Sequence, residues 1–173
     1  MKLTMNTISL IAQMQTHAEA IRNLAHEISD EQAHWKPASD SWSILEVLCH
    51  LYDEECLDFR VRLDIILHRP EEPWPRIDPK GWVASHQYNQ RDLAQTVADF
   101  SAERQKSLAW LKELESPDWQ ASCKTPWGSM TAGDMFAAWV AHDLLHLRQL
   151  VELHYTYTAQ IVQPHTVMYA GEW

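Results

Sequence analysis

Apolar residues recur at alternating steps of three and four in four stretches of the chain. That is the period of helices burying one face in a bundle. The stripe Ile11, Met14, Ala18, Ile21, Ala25, Ile28 predicts a first helix from about Met5 to about Ile28. The break "SDEQAHWKPASDS" follows it, punctuated by Pro37. Ser43 reads as the N-cap of a second helix, with Glu46 as its capping-box partner and Pro70 as its stop. A third is expected from about Ser85 to about Leu114, with Leu93, Val97, Phe100, Leu108 and Leu111 inward. A fourth is expected from about Thr131 to about Tyr155, capped by Thr131 with Asp134 three residues on. The connection "CKTPWGSM" has room for a short extended or turn segment, and the tail after Tyr155 shows no helical stripe but carries apolar residues expected to pack on the bundle.

The fold expected is therefore all-α: one domain over residues 1–173, a four-helix bundle with a long proline-rich crossover, "PEEPWPRIDPKGW", between helices 2 and 3. Four Gly in 173 residues are too few for a β-sandwich or barrel of this length. A net charge of -10 without a basic cluster argues against nucleic acid and anionic membrane surfaces as partners. No apolar run reaches the roughly 18 residues of a membrane span, and no signal peptide is legible. Cys49, Cys56 and Cys123 are an odd set without C-x-x-C spacing and read as buried thiols of a reducing compartment, which makes the cytoplasm the expected location.

Polar residues on the inward seams change the picture. On the fourth helix Met135, Trp139, His142, His146, Gln149 and Leu153 form one seam; on the second, Val47, His50, Glu54, Leu57, Val61 and Asp64 form another. Two imidazoles four residues apart share one helix face and can meet one cation. His50, on a facing helix, offers a third. Burying these groups is costly unless something satisfies them, and a divalent cation does so directly. The metal ligands expected are His50, His142 and His146; three protein ligands leave coordination positions open, the arrangement of catalytic sites. Imidazoles suit Zn, Ni, Fe or Cu, with Zn and Ni the first candidates.

Glu54, one turn beyond His50, is the candidate catalytic residue, as general base; its other reading is a carboxylate that accepts a hydrogen bond from a ligand imidazole. Asp53 and Asp143 are expected off the seams, Asp53 toward solvent or another helix, Asp143 at the surface or behind a ligand. The remaining histidines are expected on the surface or in loops. Trp74, Trp82, Trp119 and Trp127 are expected to anchor loops in preference to roofing the site.

"SWSILEVLCHLYDEE", the proline-rich middle and "TAGDMFAAWVAHDLLHLRQL" together resemble the DinB-like superfamily, close to its bacillithiol-transferase branch. The residues carrying the resemblance are Trp42, Ser43, Glu46, His50 and Leu51, then His142, Asp143, His146, Gln149 and Leu150. The ending "YAGEW" is similar to tails in that family. The resemblance implies a four-helix bundle with a three-histidine divalent-metal site at His50, His142 and His146, and homodimers. It further implies a thiol S-transferase joining a low-molecular-weight thiol such as bacillithiol, mycothiol or glutathione to a small electrophile. The alternatives are a metal-dependent hydrolase and a non-enzymatic metal-binding or structural bundle.

Overall fold

The computed structural model describes residues 5–171. Helix α1 spans Thr7–Leu24, and Ile11, Met14 and Ile21 of its expected stripe are buried. The short α2 (Asp30–His34) follows. The expected second helix is two: α3 (Ile44–Leu57) and α4 (Phe59–His68), separated at Asp58, where φ -120° and ψ -91° leave the helical region. That break ends the expected seam. On α4 the buried residues are Phe59, Arg62, Leu63, Ile65 and Ile66, whereas Leu57 is exposed and Val61 and Asp64 are only half-buried.

Residues 69–92 join α4 to α6 (Leu93–Glu113). They are not one loop: Asp78 caps a short helix, α5 (Pro79–Ser85), and a 3-10 turn covers Tyr88–Gln90. The third long helix thus starts at Leu93, not near Ser85. The stretch "CKTPWGSM" contributes to an antiparallel hairpin, β1 (Ser122–Thr125) and β2 (Gly128–Thr131), paired Cys123 to Met130. Gly128 sits at φ +139°, a conformation side-chain-bearing residues rarely adopt. Helix α7 (Ala132–Ile161) is six residues longer than expected. Its last turns hold Tyr157 edge-on against Trp35. The tail beyond it does not pack as expected: Met168 and Tyr169 are exposed. Glu172 and Trp173 lie outside the described residues.

Helix α1 packs on α6 and α7, and α3–α4 packs on the same two, so α1 lies diagonal to α3–α4 and α6 diagonal to α7. Contacts fix the directions. His17 meets Asp143 and Leu24 meets His154, so α1 and α7 run parallel. Cys49 faces Thr96 and Arg104 faces Glu55, so α3 and α6 run parallel too. Parallel neighbours cannot be closed by a tight turn; residues 69–92 must return along the bundle. On that return Tyr88 packs against Leu45 and Cys49. Helices α3 and α7 are antiparallel, which sets the middle of one against the middle of the other.

Among the described residues no helix is long and apolar enough to cross a membrane. The cysteines are free; Cys49 and Cys123 are buried, whereas Cys56 is only partly so. Burial pushes the Cys49 thiol up to about 11, so it stays protonated at neutral pH.

Candidate metal centre

Two caps fix the phase of the helices that carry the histidines. At α3, Glu46 N–H donates to Ser43 Oγ (3.2 Å) and Ser43 N–H donates to Glu46 Oε2 (2.9 Å), the reciprocal capping box. At α7, Asp134 N–H donates to Thr131 Oγ1 (3.0 Å). From these starts the antiparallel pair brings His50, His142 and His146 together, with one nitrogen of each inside a 4.8 Å group.

Nε2 of His142 lies 3.1 Å from Nε2 of His146 and 3.4 Å from Nε2 of His50. Nitrogens bound at 2.0–2.1 Å around a tetrahedral cation stand about 3.3 Å apart. His146 Nδ1 donates to Gln149 Oε1 at 2.8 Å, which places its proton on Nδ1 and turns the Nε2 lone pair inward. Burial and then the neighbouring histidines hold His50 down to about 3; burial and then His146 hold His142 down to about 3; burial lowers His146 as well. The three rings are thus neutral at pH 7, the protonation state a metal requires. Three inward-facing nitrogens cannot all find protons from one another. A divalent cation fits this donor set.

Glu54 is buried, as expected, but it stands on the other side of His50. Its Oε1 is 3.7 Å from His50 Nδ1, the nitrogen turned away from the cluster, and that Nδ1 has no hydrogen-bond partner. Burial and a hydrogen bond shared with Asp58 raise Glu54 to about 9. Phe59 and Trp42 close the flanks, with ring centroids 4.9 Å from His142 and 5.0 Å from His50. Behind Trp42 and Gln149 opens a cleft of about 480 Å³, lined also by Asp40 and Glu152. None of the three arginines that could serve an anionic substrate faces the histidines: Arg60 pairs with Glu103, Arg62 with Asp58, and Arg148 with Glu152.

A buried ion-pair network lies directly behind the site. Asp143, expected at the surface or behind a ligand, takes the second place: it is fully buried, and both its oxygens accept from Arg104 at 2.7 Å. Arg104 also donates through Nε to Glu55 Oε1 (2.9 Å) and through Nη1 to the Met14 carbonyl (3.2 Å). Trp139 Nε1 donates to the same Glu55 oxygen (2.7 Å), and His17, expected at the surface, stands 3.5 Å from Asp143. The signal was present: Phe100, Arg104, Leu108 and Leu111 step by four, four and three, so the arginine occupies a core position. Asp53, expected to face solvent or another helix, is buried: it accepts from Tyr88 O–H of the 3-10 turn and shares a 2.6 Å contact with His86, the C-cap of α5, so these elements and not solvent cover that face of α3. His154 is likewise engaged, with Gln32 and the Leu24 carbonyl. Trp119 stacks on Phe136 (5.2 Å) and Trp82 on His86 (5.7 Å), both as anchors.

These shifts set a pH profile for the metal-free protein. His50 and His142 titrate near 3 folded and near 6.5 unfolded, so below 6.5 the unfolded chain takes up protons that the folded one refuses. Their effect is absent above 6.5, and stability falls as pH drops toward 3, by at most about 2.7 kcal/mol per pH unit for two groups. Glu54 acts oppositely: its contribution is whole below 4.5 and is lost as pH rises through about 9. Urea midpoints of metal-free protein should therefore peak near pH 6.5 and fall on both sides. Midpoints that climb steadily from pH 6.5 to pH 5 would contradict the buried neutral histidines.

No curated protein matches the sequence. A solved structure does match in fold: YfiT from Bacillus subtilis, described as a probable metal-dependent hydrolase with an unusual four-helix bundle topology. It superposes with a TM-score of 0.79 at 15% identity, over 91% of this chain and 92% of that one. The family model of the DinB superfamily matches residues 13–150, and the chain belongs to that superfamily.

Proposed function

We propose that His50, His142 and His146 bind one divalent metal through Nε2, with zinc or nickel as the ion, and that the protein is a metal-dependent enzyme. The observation that carries this reading is the convergence of three Nε2 atoms at 3.1 and 3.4 Å, with the His146 tautomer set by Gln149. Bound there, the ion would supply Lewis acidity, lowering the pKa of a coordinated thiol or water.

The reaction proposed is transfer of a low-molecular-weight thiol to a small electrophile. Position of Glu54 favours it over hydrolysis. The carboxyl stands 3.7 Å from His50 Nδ1, behind the ring and away from the side where the three Nε2 atoms meet, so it is not placed to receive a proton from the reacting group. A thiol, already near pKa 8.5, ionises without such a base far more readily than water does. The adjoining cleft is lined by Asp40 and by Glu152, the latter 3.9 Å from Arg148, and among the described residues no lysine or arginine lines it, which suits a thiol bearing ammonium or hydroxyl groups. Hydrolysis is the second reading, favoured by the description of YfiT, whose fold this chain shares.

Zinc- or nickel-loaded protein should conjugate a thiol to a model electrophile, and His146→Ala should abolish both metal content and turnover. Unchanged turnover in that variant would remove the metal from the reaction. Glu54→Gln distinguishes the chemistries: under thiol transfer it leaves most of the turnover, and under base-assisted hydrolysis it stops it.

A further inference from the structure

A second cavity, of about 620 Å³, lies away from the histidine cleft, between the segment after α4 and the tip of the hairpin. Its wall gathers three cations, Arg62, Arg76 and Lys124, in a chain whose net charge is -10. Among the described residues no carboxylate lines it. Arg62 is buried and spoken for: it pairs with Asp58 at 2.7 Å, donates to the Pro75 carbonyl at 3.1 Å, and lies 4.8 Å over the Trp74 ring. Arg76 and Lys124 are exposed, and neither has a carboxylate partner among the described residues. Two indoles complete the wall. Trp74 and Trp127 meet at 6.3 Å with planes 89° apart, forming an open aromatic corner, and Trp127 is 66% exposed. Trp74 Nε1 is a buried donor without an acceptor.

Two indoles set at right angles beside a cavity offer large, rigid faces on which a planar ring can lie. Two uncompensated cations beside them define the chemistry of the ligand: a flat ring to lie in the corner, and an anionic group for Arg76 and Lys124. We propose that this cavity is a binding site for a small planar ring carrying a carboxylate or phosphate. It draws on no histidine of the metal centre. A link to that centre runs through Arg62, which pairs with Asp58 and through it reaches Glu54 and His50.

Calorimetric titration of the full zinc-treated chain with 2-naphthoate and with 2-naphthyl phosphate tests the site, the two probes separating the carboxylate from the phosphate class. At least one should bind and the uncharged 2-naphthamide should bind at least tenfold more weakly. The surface double variant Arg76→Gln/Lys124→Gln should weaken the charged probe at least tenfold, Trp127→Ala should weaken all three, and both variants should keep the wild-type circular dichroism. Binding should persist in His146→Ala, which keeps this site distinct from the metal reading. Failure of both charged probes to bind, equal affinity in the double variant, or loss of binding in His146→Ala would each overturn the proposal.

Discussion

Arg104→Met should lower the unfolding free energy by about 3–5 kcal/mol, the range for removing one partner of a buried ion pair. The substitution keeps an unbranched side chain of similar length, so lost packing contributes little. It leaves Asp143 fully buried without either of its 2.7 Å donors, and it leaves Glu55 with Trp139 Nε1 as its remaining hydrogen-bond donor. Arg104→Lys should recover only part of the loss, since an ammonium cannot match the two-pronged contact with Asp143. If the cost arises from stranded charge, Arg104→Met combined with Asp143→Asn should lose less than the two single changes added together. Urea unfolding of the four proteins decides it; a loss under 1 kcal/mol for Arg104→Met would mean the buried carboxylates take up protons at little cost.

The same arginine explains how the histidine cluster is held. From α6 it grips the Met14 carbonyl on α1, Glu55 on α3 and Asp143 on α7, so one guanidinium touches all four long elements of the bundle. Asp143 follows His142 and Glu55 follows Glu54 in sequence. Locking these two carboxylates to one group fixes the relative rotation and height of α3 and α7, and so the distance between His50 and the other two imidazoles. Arg104 is a positioning residue for the cluster, and Arg104→Met should weaken zinc binding as well as folding.

Much of this arrangement is legible in the sequence, and the boundary of legibility has a physical cause. Helical periodicity reports which residues face inward on one helix. It therefore placed the four helices and turned His50, His142, His146 and Glu54 into the bundle. It does not report where on its neighbour a residue lands. Glu54 faces inward yet lies behind His50, and only the packed bundle shows it. For Asp143, one residue off the seam, spacing leaves both the surface and a place behind a ligand open; a helix enclosed by neighbours on two sides buries a broader arc, and that puts it behind the ligand. The break at Asp58 carries no Pro or Gly to announce it. Nor could the spacing alone show that α3 and α6 run parallel, which is what the long segment 69–92 exists to connect.

Zinc should raise the melting temperature of the metal-free protein and should do so through three residues equally. At free zinc 100-fold above its dissociation constant the folded state gains about 2.7 kcal/mol, and a chain of this length responds by roughly 2–4 °C per kcal/mol, so a rise of about 5–11 °C is expected. Without metal, three imidazole nitrogens converge at 3.1 and 3.4 Å and compete for protons. Removing one ring leaves a cavity that lowers the starting melting temperature, and it removes most of the response to zinc. His50→Ala, His142→Ala and His146→Ala should each melt at the same temperature with and without added zinc. Acid sharpens the contrast. Surface histidines surrender zinc as pH falls through about 6.5, but burial holds His50 and His142 near 3, so protons compete poorly with the ion. The zinc response should still be present at pH 5.5. Variants that keep the full response, or a wild type that loses it by pH 6, would show that zinc binds somewhere other than at these three nitrogens.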